Sequence, residues 1–142
     1  MPRYDELSVG DELPAKTFPV HRKDLIRYAG ASRDFNEIHW NERIAVQVGL
    51  PNVIAHGMFT MAQAIRIVTD WVGDPGAVVE YGVRFTKPVV VPDDEAGASV
   101  EYSGKIGALL DENKVRIDLT AVSAGQKVLG RASAIVRVPN GE

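Results

Sequence analysis

The chain has 142 residues, 45% of them hydrophobic and 25% charged, with a net charge of −3. That length supports one domain with one good core, and the composition excludes a disordered polymer. The absence of cysteine excludes disulfides, thiolate metal sites and cysteine nucleophiles, and the acidic balance excludes the basic field that nucleic-acid binding requires.

Met1 to Glu6 form no apolar signal region, and no apolar run reaches membrane-spanning length, so a cytoplasmic protein without a membrane partner is expected. Val9-Gly10-Asp11 reads as a turn, and a short strand follows around Lys16 to Val20. His21 to Ala31 reads as a helix with Leu25, Ile26 and Ala29 on one face, weakened at its end by Gly30 and Ser32. Residues 33–55 are irregular apart from a short helix over Glu42 to Val48, closed by Gly49 and Pro51. A connection this long inside a compact domain is usually functional.

His56 to Val72 carries the strongest helical pattern. Met58, Met61, Ala62, Ile65, Val68, Thr69 and Val72 recur at helical spacing, and a helix this apolar is expected to be wrapped by other elements. Gly73-Asp74-Pro75-Gly76 ends it. Strands are expected over Val78 to Thr86, Ala98 to Leu109, Lys114 to Ser123 and Lys127 to Val138, with turns at Asp111-Glu112-Asn113 and Ala124-Gly125-Gln126. Pro88 and Pro92 imply a bend or an edge. One long helix followed by four strands, with a fifth near the N-terminus, implies an α+β architecture: an antiparallel sheet curled around the helix. The competing arrangement is a cone-shaped α+β fold of the cystatin or nuclear-transport-factor kind.

Two local features carry chemistry. Asp34-Phe35-Asn36-Glu37-Ile38-His39 sets a carboxylate and an imidazole five residues apart. Such a pair can orient the ring, hold a water and share a proton. In Ala55-His56-Gly57-Met58 a glycine opens the long helix, where its N–H is free to face an oxyanion. Together they point to chemistry beside a carbonyl. His56 itself reads as a packing or capping residue, His21 as a surface or helix-start residue, and Trp40 and Trp71 as core or interface anchors. Three scattered histidines without a matching carboxylate cluster make a poor metal site.

Tyr28 to His39 resembles the hydratase-2 motif of MaoC-like hotdog proteins, Ile54 to Met58 the start of the hotdog helix, and Val83 to Val89 the strand after it. Within that family the likeness extends to the catalytic subunits of actinobacterial (3R)-hydroxyacyl-carrier-protein dehydratases, through Trp71 to Ala77. The resemblance implies a single hotdog domain over residues 1–142. It also implies an enzyme of fatty-acid elongation that adds water to, or removes it from, acyl thioesters of coenzyme A or carrier protein. Asp34 and His39 are then the catalytic pair, Asn36 orients the pair or the water, Gly57 N–H stabilises the thioester oxyanion, and Met58 and Met61 are possible lining of the acyl pocket. No metal or other cofactor is implied. The implied assembly is a homodimer, or a heterodimer with a related subunit.

The sequence departs from the family at two positions, where Arg33 replaces a glycine and Glu37 a proline. Arg33 is expected either to narrow the entrance or to point outward. Glu37 removes a stiffening ring and adds a charge near the histidine. Arg33, Arg84 and Lys87 read as solvated charges, with the phosphates of a thioester carrier as the functional alternative. Two other functions compete: a non-catalytic acyl-binding subunit, which should lack the Asp–His pair, and a hotdog thioesterase.

Overall fold

The computed structural model describes residues 1–141. In chain order the elements are β1 (Glu12–Val20), α1 (Arg22–Ser32), α2 (Glu42–Gln47), α3 (Gly57–Val72), β2 (Val78–Phe85), β3 (Ala98–Leu110), β4 (Lys114–Ser123), β5 (Gln126–Lys127) and β6 (Leu129–Arg137). The sheet is antiparallel, in the order β1-β3-β4-β6-β2, with β5 paired to β4. It curls around α3, the arrangement expected of an α+β hotdog fold.

The two tight connections follow from turn chemistry. Glu112 and Asn113 take φ of 58° and 56° between β3 and β4, and Ala124 and Gly125 take 49° and 74° after β4. Consecutive left-handed residues match the right-handed twist of the strands they join. Along β4 the buried residues alternate as Val115, Ile117, Leu119 and Ala121, so one face of the sheet meets α3. From α3, Thr60, Ala64, Ile67, Val68 and Val72 turn inward. Each fully buried Val or Ile stabilises the core by about 1.5–3 kcal/mol. Tyr81 and Tyr102 tie the sheet to the same helix, their hydroxyls donating to the Met61 carbonyl at 2.6 Å and to Gln63 Oε1 at 2.7 Å. Gly73, at φ 75°, ends α3 with its N–H on the Thr69 carbonyl.

The structure differs from the sequence reading in three places. β1 begins at Glu12 rather than near Lys16, and its register with β3 shifts between Leu13 and Lys16, where Pro14 has no N–H to give. The last expected strand divides into β5 and β6. The helix α3 is wrapped on one face only, and Met58 and Ala62 on its other face remain exposed. The bend expected at Pro88 and Pro92 encloses a short bridge. There Ile54 pairs with Val90, Ala55 N–H donates to the Val89 carbonyl, and Val91 N–H donates to the Val53 carbonyl.

Candidate active site

Helix α1 ends at Ser32, and Arg33 reverses the chain at φ 62° in the left-handed region. That conformation costs a non-glycine residue about 1–2 kcal/mol, a cost that the glycine implied by the family resemblance would not incur. The Arg33 side chain is exposed, so of the two expected outcomes it takes the outward one. The next residues form nested turns. Asn36 N–H donates to Asp34 Oδ1 at 3.2 Å, and Ile38 N–H donates to Asn36 Oδ1 at 3.2 Å. Asn36 thereby opens the single 3-10 turn Glu37–His39 that aims His39. Trp40 Nε1–H donates to the Phe35 carbonyl at 3.0 Å and closes the loop from the other side. Glu37 sits in the first position of that turn, where a proline would lose no helical bond.

His39 is buried, at 7% exposure, while the Asp34 side chain is 51% exposed. The His39 Nδ1 lies 2.7 Å from the Ile54 carbonyl. A carbonyl can only accept, so Nδ1 carries the proton and Nε2 presents a lone pair. That Nε2 lies 3.9 Å from Asp34 Oδ2. The two atoms are too far apart for a direct hydrogen bond, but an oxygen placed between them reaches both at about 2.8 Å. Ile54 is held in turn by the bridge to Val90 and by its N–H on the Ile38 carbonyl.

His56 completes the cluster. It is 1% exposed and stacks on His39 with ring centroids 3.8 Å apart and planes at 21°. Tyr28 packs against it at 4.7 Å. His56 makes no side-chain bond to the start of α3, so it packs rather than caps. Burial is the largest reason its pKa lies below the ordinary 6.5. The histidines are therefore less scattered than their spacing implied, and ligand atoms of Asp34, His39 and His56 lie within 4.8 Å of one another. As a metal centre the geometry is poor. Lone pairs in the planes of two nearly parallel rings 3.8 Å apart do not converge on one ion at about 2 Å from each. His21 stands apart, beside Asp24 and the Glu95 carbonyl.

A cavity of about 410 Å³ opens beside His39. Its walls include Leu50, Ile54, Val89, Val128 and Leu129, with Thr60, Phe85 and Lys87 also facing it. Gly57 lines it at the first position of α3, where a helix leaves its leading N–H groups without intrahelical acceptors. Met58 and Met61 do not line it. Helical residues advance by about 100°, so Met58 points away from the face that carries Thr60 into the cavity, and it is exposed. Of the three basic residues singled out in the sequence, Lys87 reaches the cavity while Arg33 and Arg84 are exposed elsewhere. Sequence reasoning missed the part played by His56. The available signal was a histidine immediately before a helix whose ordinary cap would be Ser, Thr, Asp or Asn.

Residues 6–124 match the family model described as a MaoC like domain. The chain belongs to the MaoC-like family. Among relatives, 3-hydroxyacyl-thioester dehydratase X of Mycobacterium tuberculosis is 40% identical over 79 residues, which are 56% of this chain and 27% of that protein. The (R)-specific enoyl-CoA hydratase of Rhodospirillum rubrum is 31% identical over 126 residues, covering 88% of this chain and 83% of the relative. A solved MaoC-like dehydratase superposes with a TM-score of 0.92 at 43% identity, over 96% of this chain and 42% of that one. The MaoC-like chain thus spans less than half the length of the mycobacterial relative and of the solved dehydratase. No helix among its described residues is long and apolar enough to cross a membrane.

Proposed function

We propose that this MaoC-like chain, as one hotdog domain, catalyses the reversible syn addition of water to a trans-2-enoyl thioester, giving the (3R)-hydroxyacyl thioester. The observation that carries the reading is a single apolar cavity lined both by His39, whose Nδ1 is tied to the Ile54 carbonyl and whose Nε2 lies 3.9 Å from Asp34 Oδ2, and by Gly57, the first residue of α3. In dehydration a proton leaves the carbon next to the carbonyl and the 3-hydroxyl departs with a proton. Both groups lie on one face, so one adjoining acid/base pair serves both ends. The carbon proton is assigned to the His39–Asp34 pair, whose nearest side-chain atoms lie 3.9 Å apart, rather than to either member. Charge that builds on the thioester oxygen meets the N–H of Gly57 at the positive end of α3.

The acyl chain enters the apolar part of the cavity. Lys87 at its exposed rim suits the phosphate of coenzyme A or carrier protein. The proposed compartment is the cytoplasm, and the proposed process is fatty-acid elongation. The test is turnover of crotonyl and longer enoyl thioesters, with chiral analysis of the product and a parallel assay for thiol release. An (R)-3-hydroxyacyl product confirms the reading. Thiol release without hydration selects a thioesterase instead.

The assembly belongs to the same proposal. β2 ends the sheet, with Val79 and Phe85 at least half exposed, and α3 leaves Met58 and Ala62 uncovered. A long edge strand beside an apolar helix face needs a partner. The expected result is an obligate dimer joined along β2, with one sheet running through both subunits and the two α3 helices side by side. Light scattering at micromolar concentration should give twice the 15.5 kDa of one chain, or the mass of a pair with a related subunit. A fully active species of 15.5 kDa contradicts both forms, and an inactive homodimer rescued by a related subunit selects the mixed one.

A further inference from the structure

His56 has no task in the chemistry above, yet it occupies the centre of the cluster. Its Nε2 lies 3.1 Å from the Asp34 backbone carbonyl, which can only accept, so Nε2 carries the proton. Its Nδ1 is buried and finds no hydrogen-bond partner among the described residues. His39 is fixed the opposite way, with its proton on Nδ1. Two stacked imidazoles therefore hold opposite tautomers, each set by a backbone carbonyl.

We propose that His56 is the positioning residue of the Asp34–His39 pair. Its Nε2–H holds the backbone of Asp34, its ring face holds the His39 imidazole, and it stays neutral so that the working proton is confined to His39 and Asp34. The use made of that proton rests on the hydratase reading, whereas the placement rests on geometry alone.

The need for such an anchor is visible in the loop. Asp34 follows the left-handed Arg33, and its side chain is half exposed, with the Asn36 N–H as its backbone donor. A carboxylate held so lightly swings unless its main chain is fixed. A misplacement of about 1 Å at a reacting centre can cost about 100-fold in rate.

Neutrality follows from what surrounds the ring. Tyr28 from α1, Asp34 from the loop, His39 from the 3-10 turn and Phe59 from α3 pack around the site. A second proton on His56 would lie on Nδ1 with no acceptor. Burial is the largest influence against it, and a charge on His39 acts in the same direction. The backbone bond to Asp34 and the Asp34 charge pull the other way.

Two measurements test this. The first uses the intact wild-type chain and needs no turnover: long-range 15N–1H correlation of the ring nitrogens as pH is lowered. The expected spectrum shows His56 protonated on Nε2 and bare on Nδ1 at and below the ordinary 6.5 of an imidazole. The reverse tautomer, or a second proton on His56 Nδ1 at or above pH 6.5, overturns the proposal.

The second measurement compares His56→Phe, which keeps a ring without the N–H, with His56→Gln, which restores a donor. His56→Phe should lower kcat about 10–100-fold with KM changed by less than about threefold, and His56→Gln should recover part of the loss. If His56→Phe lowers only the melting temperature and leaves kcat per folded molecule unchanged, His56 is core filling and the proposal fails. Absence of hydration by the wild type defeats the hydratase reading, while the ring-nitrogen spectrum still decides the role of His56.

Discussion

Replacing His39 by Ala should lower kcat about 10²–10⁴-fold, the range that one positioned acid or base supplies, and leave a folded protein. The loss is chemical because His39 lines the cavity with its Nδ1 engaged by the Ile54 carbonyl, which leaves Nε2 as its free lone pair beside Asp34. The fold survives because the core of Ile67, Val68, Val72, Ile117 and Val136 does not depend on it. A modest cost remains: the Ile54 carbonyl loses its donor, worth about 1–3 kcal/mol where the group stays buried. Asp34→Asn should fall as far in rate and less in stability, since that side chain is half exposed and an amide oxygen can still accept from the Asn36 N–H. The double substitution should be little worse than either alone, because the two groups act as one unit. The checks are steady-state turnover and thermal melting of the three variants. Near wild-type hydration by His39→Ala would sink the mechanism.

Gly57→Val should lower kcat about 10²–10³-fold, the effect of losing one oxyanion donor. Gly57 has no need of unusual backbone angles. A β-carbon there would come within 3.0–3.1 Å of the Phe85 ring, so the helix start and Phe85 form a slot that a side chain closes. Phe85 is 55% exposed on the edge strand and can swing aside, which keeps the cost in stability small compared with the cost in rate. Gly57→Ala should be intermediate. The discriminating measurement sets kcat against melting temperature for both variants. Full turnover in Gly57→Val, or a chain that does not fold, removes the support for assigning the oxyanion to this N–H.

The elements with a strong period were legible in the sequence, and those held by distant partners were not. The helix α3 was read to within one residue and β4 over its observed span, because Val115, Ile117, Leu119 and Ala121 alternate cleanly and α3 keeps one inward face. The early part of β1 was invisible because Pro14 and the register shift break its alternation, and its pairing with β3 is decided far along the chain. The nearness of Asp34 to His39, at 3.9 Å, and the meeting of His39 and Gly57 at one cavity agree with the grouping read from the sequence. The single-turn 3-10 helix and the bridge of Ile54 to Val90 leave no period to find. Met58 and Met61 do not line the cavity of the single chain, and because both faces of α3 are apolar, pattern alone does not say which face that cavity uses. His56 was placed correctly as packing, but the ring it packs on lies across a loop whose path the sequence does not give.

The bridge between Ile54 and Val90 also joins two segments far apart in the chain. The two residues flank α3 and β2 in the chain, so their pairing closes a loop that contains that helix and strand. The β3–β4 hairpin needs only its own turn and can form early. Since Ile54 carries the carbonyl that orients His39, the setting of that ring depends on a long-range contact and is expected to loosen in mild denaturant before the sheet behind it.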